Sequence, residues 1–194
     1  MRRKSLFSLI IFCWCIQFAH TQIVVTNFPP MDTEQYLVND VLLGGGIVTS
    51  NFSSVGLAQG IGYFDGFNAN IGFTEGILMS TGGLDFVSDV FGGGGGSGIS
   101  GDADLELALN QINLTWDVNN VTILEFDFIA ESESVSFDYV FGSAEYTSFT
   151  CSNYNDIFGF FLSGPGINGI YSNNAVNIAL VPDPEGAADY QEWQ

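Results

Sequence analysis

Apolar and polar residues alternate with a period of two along the clearest stretch of this chain. Leu124, Phe126 and Phe128 alternate with Glu125 and Asp127, and Val135, Phe137, Tyr139 and Phe141 alternate with Ser136 and Asp138. Successive strand side chains point to opposite faces, so both runs predict strands with one core face and one polar face. A turn at Glu131-Ser132 would join them as a hairpin, placing Phe126 opposite Phe137 and Glu125 opposite Asp138. Like charges directly opposed weaken a strand pair by roughly 0.2–1 kcal/mol. Either that register is off, or the face is well solvated, or a cation sits there. Leu124, Phe126, Phe128, Phe137, Tyr139 and Phe141 are the expected core of the hairpin.

Short apolar or alternating runs recur at 46–49, 54–58, 60–64, 76–80, 121–129, 134–141, 156–163 and 175–181, separated by Gly, Asn, Ser and Asp. Such spacing predicts many short strands. Residues 33–42 predict a helix, with Asp32 or Thr33 as cap, Tyr36, Leu37 and Val41 on the apolar face, and Gly44-Gly-Gly46 as the stop. Residues 104–111 predict a second short helix, capped by Asp102 or Asp104. Residues 91–98 form a glycine-rich loop. The pattern predicts a mainly β domain, a β-sandwich or jelly-roll-like fold with one or two short helices.

Charge changes the picture more than any motif. Arg2, Arg3 and Lys4 are the only basic residues, against 22 carboxylates, for a net charge of −19 over 194 residues. They precede the apolar run 6–16 and the small residues Ala19 and Thr21, the order of a secretory signal peptide. The run is too short to span a membrane. The expected organisation is a signal peptide at 1–21 and one β-rich domain at 22–194, carrying a charge of about −22 after cleavage. Cys151 is the one cysteine past the leader, and the chain stops on Glu192-Trp-Gln194. These features suggest a chain truncated at its C-terminus, with Cys151 either a buried thiol or a half-cystine paired further along.

The same composition excludes chemistries. His20 is the only His and lies in the leader, which removes Ser-His-Asp catalysis and His-ligated zinc. Without Lys or Arg, nucleic acid and anionic membranes are repelled. Oxygen donors and aromatic faces remain, and oxygen-only ligand sets suit Ca²⁺. Asp102, Asp104 and Glu106 are one candidate calcium loop; helix capping is the competing role. Glu145, Asn153, Asn155 and Asp156, with Tyr146, Phe149 and Tyr154 nearby, are a second, suited to Ca²⁺-assisted sugar or peptide binding. Asp65, Asn68 and Asn70 read as turn chemistry. Paired carboxylates could serve a glycosidase, but any acidic β-protein offers such pairs. No catalytic residue is assigned, and a non-enzyme is expected.

Several segments resemble the choice-of-anchor L domain, a family of exported bacterial surface domains. The resemblance is carried by Val41-Leu-Leu-Gly-Gly-Gly-Ile47, Ile71-Gly-Phe-Thr-Glu-Gly-Ile-Leu-Met-Ser-Thr-Gly82, Gly101-Asp-Ala-Asp-Leu105 and Leu124-Glu-Phe-Asp-Phe128. Its most specific parts are Phe137-Asp-Tyr-Val-Phe-Gly-Ser-Ala-Glu-Tyr146 and Asn155-Asp-Ile-Phe-Gly-Phe-Phe-Leu-Ser-Gly-Pro-Gly166. Ala144 stands where the family has a second acidic residue. The resemblance implies a secreted or cell-surface location, and a C-terminal anchor or a type IX sorting domain of the Bacteroidota kind further along. The expected function is an adhesion or recognition module for an extracellular glycan or protein, calcium-stabilised. The alternatives are a carbohydrate-active enzyme or its accessory binding module, and a structural spacer in a long surface protein.

Overall fold

The computed structural model describes residues 23–43, 47–84, 96–131, 134–143, 149, 152, 156–179, 181–182 and 190–191. The expected leader at 1–21, the expected stop Gly44-Gly-Gly46 and Cys151 lie outside them. Within them the chain is mainly β. Its strands pair antiparallel, with two short helices and no closed barrel, as expected for the β-sandwich class.

Strand β1 (Val24–Thr26) opens a three-stranded sheet of order β1-β3-β4, with β3 at Ile61–Asp65 and β4 at Glu75–Met79. Two glycines let this sheet close up. A Cβ on Gly62 would lie 2.8 Å from the Thr26 carbonyl and 2.6 Å from Leu84 Cδ1. Gly76 sits opposite Phe64, whose ring crosses the space a side chain would fill. Helix α1 (Glu34–Tyr36) begins at the Thr33 cap and continues as a π-helical turn, Leu37–Leu42. That turn packs against β3 and β4 and carries Leu37 and Val38, the most deeply buried large side chains among the described residues.

Strand β2 (Val48–Val55) pairs with β5 (Ile123–Ile129). The two strands expected at 46–49 and 54–58 are therefore one, broken by a bulge between Ser50 and Ser53. Asn51 supplies the left-handed turn at φ 55°, a conformation Asn tolerates better than most residues. The alternation expected for β5 holds. Leu124, Phe126 and Phe128 are half-buried while Glu125 and Asp127 are exposed. Phe126 and Phe128 sit 6.1 Å apart.

The expected 121–141 hairpin does not form. Among the described residues no ladder joins β5 to 134–141, so Phe126 is not opposite Phe137 and Glu125 is not opposite Asp138. The physical reason is in the partners. Register with β2 sets Ser53 opposite Glu125 and Ser50 opposite Asp127. Ser53 Oγ then donates to Glu125 Oε2, and Asn51 Nδ2 donates to Asp127 Oδ2. The carboxylates meet donors where the hairpin would have opposed like charges.

The rest of the core gathers around helix α2 (Ala103–Gln111), close to the expected span. Leu109, Val118 and Val121 bury one side, and Ala108, Tyr171 and Ala175 the other, with Ile157 packed against both groups. Short strands β6 (Phe161–Leu162) and β7 (Val176–Asn177) pair beside it, and β8 (Val181–Pro182) pairs with β9 (Tyr190–Gln191). A 3-10 turn, Ser172–Asn174, precedes β7.

Candidate functional site

The strands expected at 134–141 and over most of 156–163 do not form, but the side chains of 137–143 and 156–160 meet each other in antiparallel order. Phe137 stacks on Phe160 at 4.0 Å; Tyr139 and Phe141 meet Phe158 at 5.3 and 5.9 Å; Ser143 Oγ donates to Asp156 Oδ2. The contacts run in reverse order along the two segments, so these side chains form one row on one face. Residues of opposite parity, Ile157 and Phe161, turn instead to the core beside α2. Phe160 is anchored at the inner end by its N–H to Asn177 Oδ1 at 3.0 Å, and its carbonyl accepts from Ile178 at 2.8 Å.

The row emerges from the molecule toward Asp156. Phe137, Tyr139 and Phe160 are half-buried, Phe158 is 36% exposed and Phe141 47%. Phe141 is thus not the core residue the alternation predicts. It lies toward the open end of the row, where its ring meets that of Phe158. The aromatic partners that 137–141 was expected to find in β5 come instead from 158–160. Of the second candidate set, Asp156 is at the exposed end of this row, while Glu145, Asn153 and Asn155 lie outside the described residues, as do Tyr146 and Tyr154.

The first candidate set is built into the α2 terminus. Asp102 Oδ1 accepts from the N–H groups of Asp104 and Leu105 at 3.1 and 2.8 Å, satisfying donors a helix start leaves open. Asp104 Oδ1 accepts from Ser172 N and Oγ at 2.8 and 2.9 Å, tying α2 to the 3-10 turn. Glu106 is half-buried one turn on. Among the described residues no group of three or more His, Cys, Asp or Glu is placed to hold a metal ion. Asp65 makes the expected turn, accepting from Phe67 N at 2.9 Å.

Glu75 and Glu34 were not singled out from the sequence. Asp65 and Glu75 are direct partners across β3 and β4, the like-charge opposition anticipated elsewhere. Tyr63 OH donates to Glu75 Oε2 at 2.8 Å. That bond, with slight burial and the nearby negative charge, pushes the Tyr63 phenol up to about 12. Glu34 accepts from Ser54 Oγ, which holds its carboxyl below the usual range, helped by its own backbone N–H and opposed by burial. It borders a hollow of about 390 Å³ with Asp32, Leu37 and Ile61.

A family model, the choice-of-anchor L domain, matches residues 25–189. The chain belongs to the choice-of-anchor L domain family. No curated protein and no solved structure matches it. Choice-of-anchor membership places this protein among surface-associated, extracellular domains. Among the described residues no helix is long and apolar enough to cross a membrane. The aromatic row joins the two segments that carry the choice-of-anchor resemblance most specifically. Alternation marked 134–141 as having one apolar and one polar face, and 156–163 read as a short strand candidate, but neither signal said that the two segments face each other. The signal that pairs them is the matched parity of Phe137, Tyr139 and Ser143 with Phe160, Phe158 and Asp156.

Proposed function

We propose that this choice-of-anchor L domain is an exported recognition module that binds an extracellular ligand at the open end of the aromatic row and does not turn it over. One observation carries the reading. Rings that could have been covered are left partly in water beside an exposed carboxylate, and exposed apolar surface next to polar groups is the common form of a binding surface. The leader at 1–21 would direct export. The test is an array of glycans and extracellular proteins probed with the secreted chain. The expected result is binding to at least one ligand, with no change in that ligand on prolonged incubation. Turnover would move the reading to a carbohydrate-active enzyme, and a blank array to a structural spacer.

Calcium stabilisation is the second part of the proposal and rests on charge. Past Lys4 no cationic side chain is available to pair any carboxylate, and Asp65 directly opposes Glu75. Asp102, Asp104 and Glu106 at the start of α2, and Asp156, Glu145 and Asn155 of the second set, remain the candidate oxygens.

A further inference from the structure

Phe141 and Phe158 keep 47% and 36% of their surface exposed although each touches another ring. Apolar surface left in water is recoverable by whatever covers it. At the rim of these rings stands exposed Asp156, oriented by the Ser143 hydroxyl that donates to it. An ionised carboxylate has about four acceptor sites, so it can take further hydroxyl donors. We infer that Tyr139, Phe141, Phe158 and Asp156 bind an uncharged glycan. An apolar C–H face of a pyranose ring lies on the aromatic rings, and a sugar hydroxyl donates to Asp156. This rests on the recognition reading and names its ligand class.

Charge narrows the occupant. Past His20 the chain holds no Lys, Arg or His, so no side chain can neutralise a phosphate, sulfate or uronate on a ligand, and the field of the whole domain repels one. A basic peptide would find stronger acidic positions elsewhere, at Asp65 with Glu75 or at Glu125 with Asp127. An exposed apolar area with a polar pair at its edge complements a neutral sugar, which is apolar on its ring face and hydroxylated at its rim.

Titration calorimetry on the full chain would use neutral gluco-, xylo- and manno-hexaoses, an oligogalacturonate and a lysine-rich peptide. At least one neutral hexaose binds and the oligogalacturonate does not. Phe158→Ala and Phe141→Ala each weaken binding about tenfold; Phe158→Tyr retains it, and Asp156→Asn weakens it severalfold. Should Phe158→Ala fail to fold, the exposed Phe141 variant still decides. Hexaose binding unchanged in the ring variants overturns the inference, and so does preference for the anionic glycan. Peptide binding in place of every neutral glycan overturns the ligand class and leaves the recognition reading standing. A folded wild-type chain that takes no neutral hexaose also overturns the inference; the recognition reading falls with it only if the wider array is blank too.

Discussion

Asp102 has a dual aspect in sequence, since an acid ahead of a helix can cap it or bind a cation. In the fold its Oδ1 takes two backbone N–H groups at the start of α2. Replacing a capping Asp by Ala usually costs about 1 kcal/mol. Asp102→Ala should therefore lower the free energy of unfolding by about 1 kcal/mol in metal-free urea titration. A loss seen only when Ca²⁺ is present would assign the side chain to a cation. Tyr63 offers a second test. Its phenol, raised to about 12 by the bond to Glu75, holds its proton more tightly folded than unfolded. Its contribution is complete below the ordinary value of 10.0 and is lost as pH rises toward about 12. Phenolate absorbance should show a late-titrating component, removed by Tyr63→Phe and shifted down by Glu75→Gln. No late component in the wild type would mean the bond is not kept in solution.

At the scale of elements, local signals were legible and long-range pairing was not. Thr33 capping and the 3.6-residue period placed the first helix, and the α2 start follows from its acid. The faces of β5 were legible because alternation depends only on neighbours in sequence. Its partner was not, since Ser50, Asn51 and Ser53 look like a loop until their donors are set against Glu125 and Asp127. Strand β1 was passed over because a three-residue run beside the leader has too little pattern to register. The deepest burial was legible only in part, since Leu37 was expected on the apolar face and Val38 was not. It falls on the π-helical turn, with Leu37 at 1% and Val38 at 0% exposure, while Phe126 is only half-buried. Leu37→Ala should cost about 2–5 kcal/mol through lost transfer and a residual cavity. Phe126→Ala should cost less, about 2 kcal/mol, because only part of the ring leaves water. Denaturant midpoints converted to free energy would check the order; a larger loss at Phe126 would move the main core to the β2–β5 side.

The whole molecule is governed by its unbalanced charge. With all three basic residues at positions 2–4, the domain that follows has carboxylates and nothing to pair them. The fold answers locally with neutral donors: Ser53, Asn51, Ser54, Tyr63, Ser143 and Ser172 each donate to an acid. Neutral donors orient a carboxylate but leave its charge, so long-range repulsion persists across the domain. A bound divalent cation would relieve it where oxygens converge. Ca²⁺ accepts six to eight oxygens in irregular loops, whereas Mg²⁺ demands a near-octahedral shell and gives up water reluctantly. Ca²⁺ should therefore raise the melting temperature, and Mg²⁺ should raise it less. Free ligand at 100 times its dissociation constant adds about 2.7 kcal/mol, enough to move a domain of this size by several degrees. Monovalent salt screens the same repulsion without binding any one site, so the comparison belongs at fixed ionic strength. Identical melting curves in millimolar Ca²⁺ and in EDTA would remove calcium from the proposal and leave the acidity as a device for solubility outside the cell.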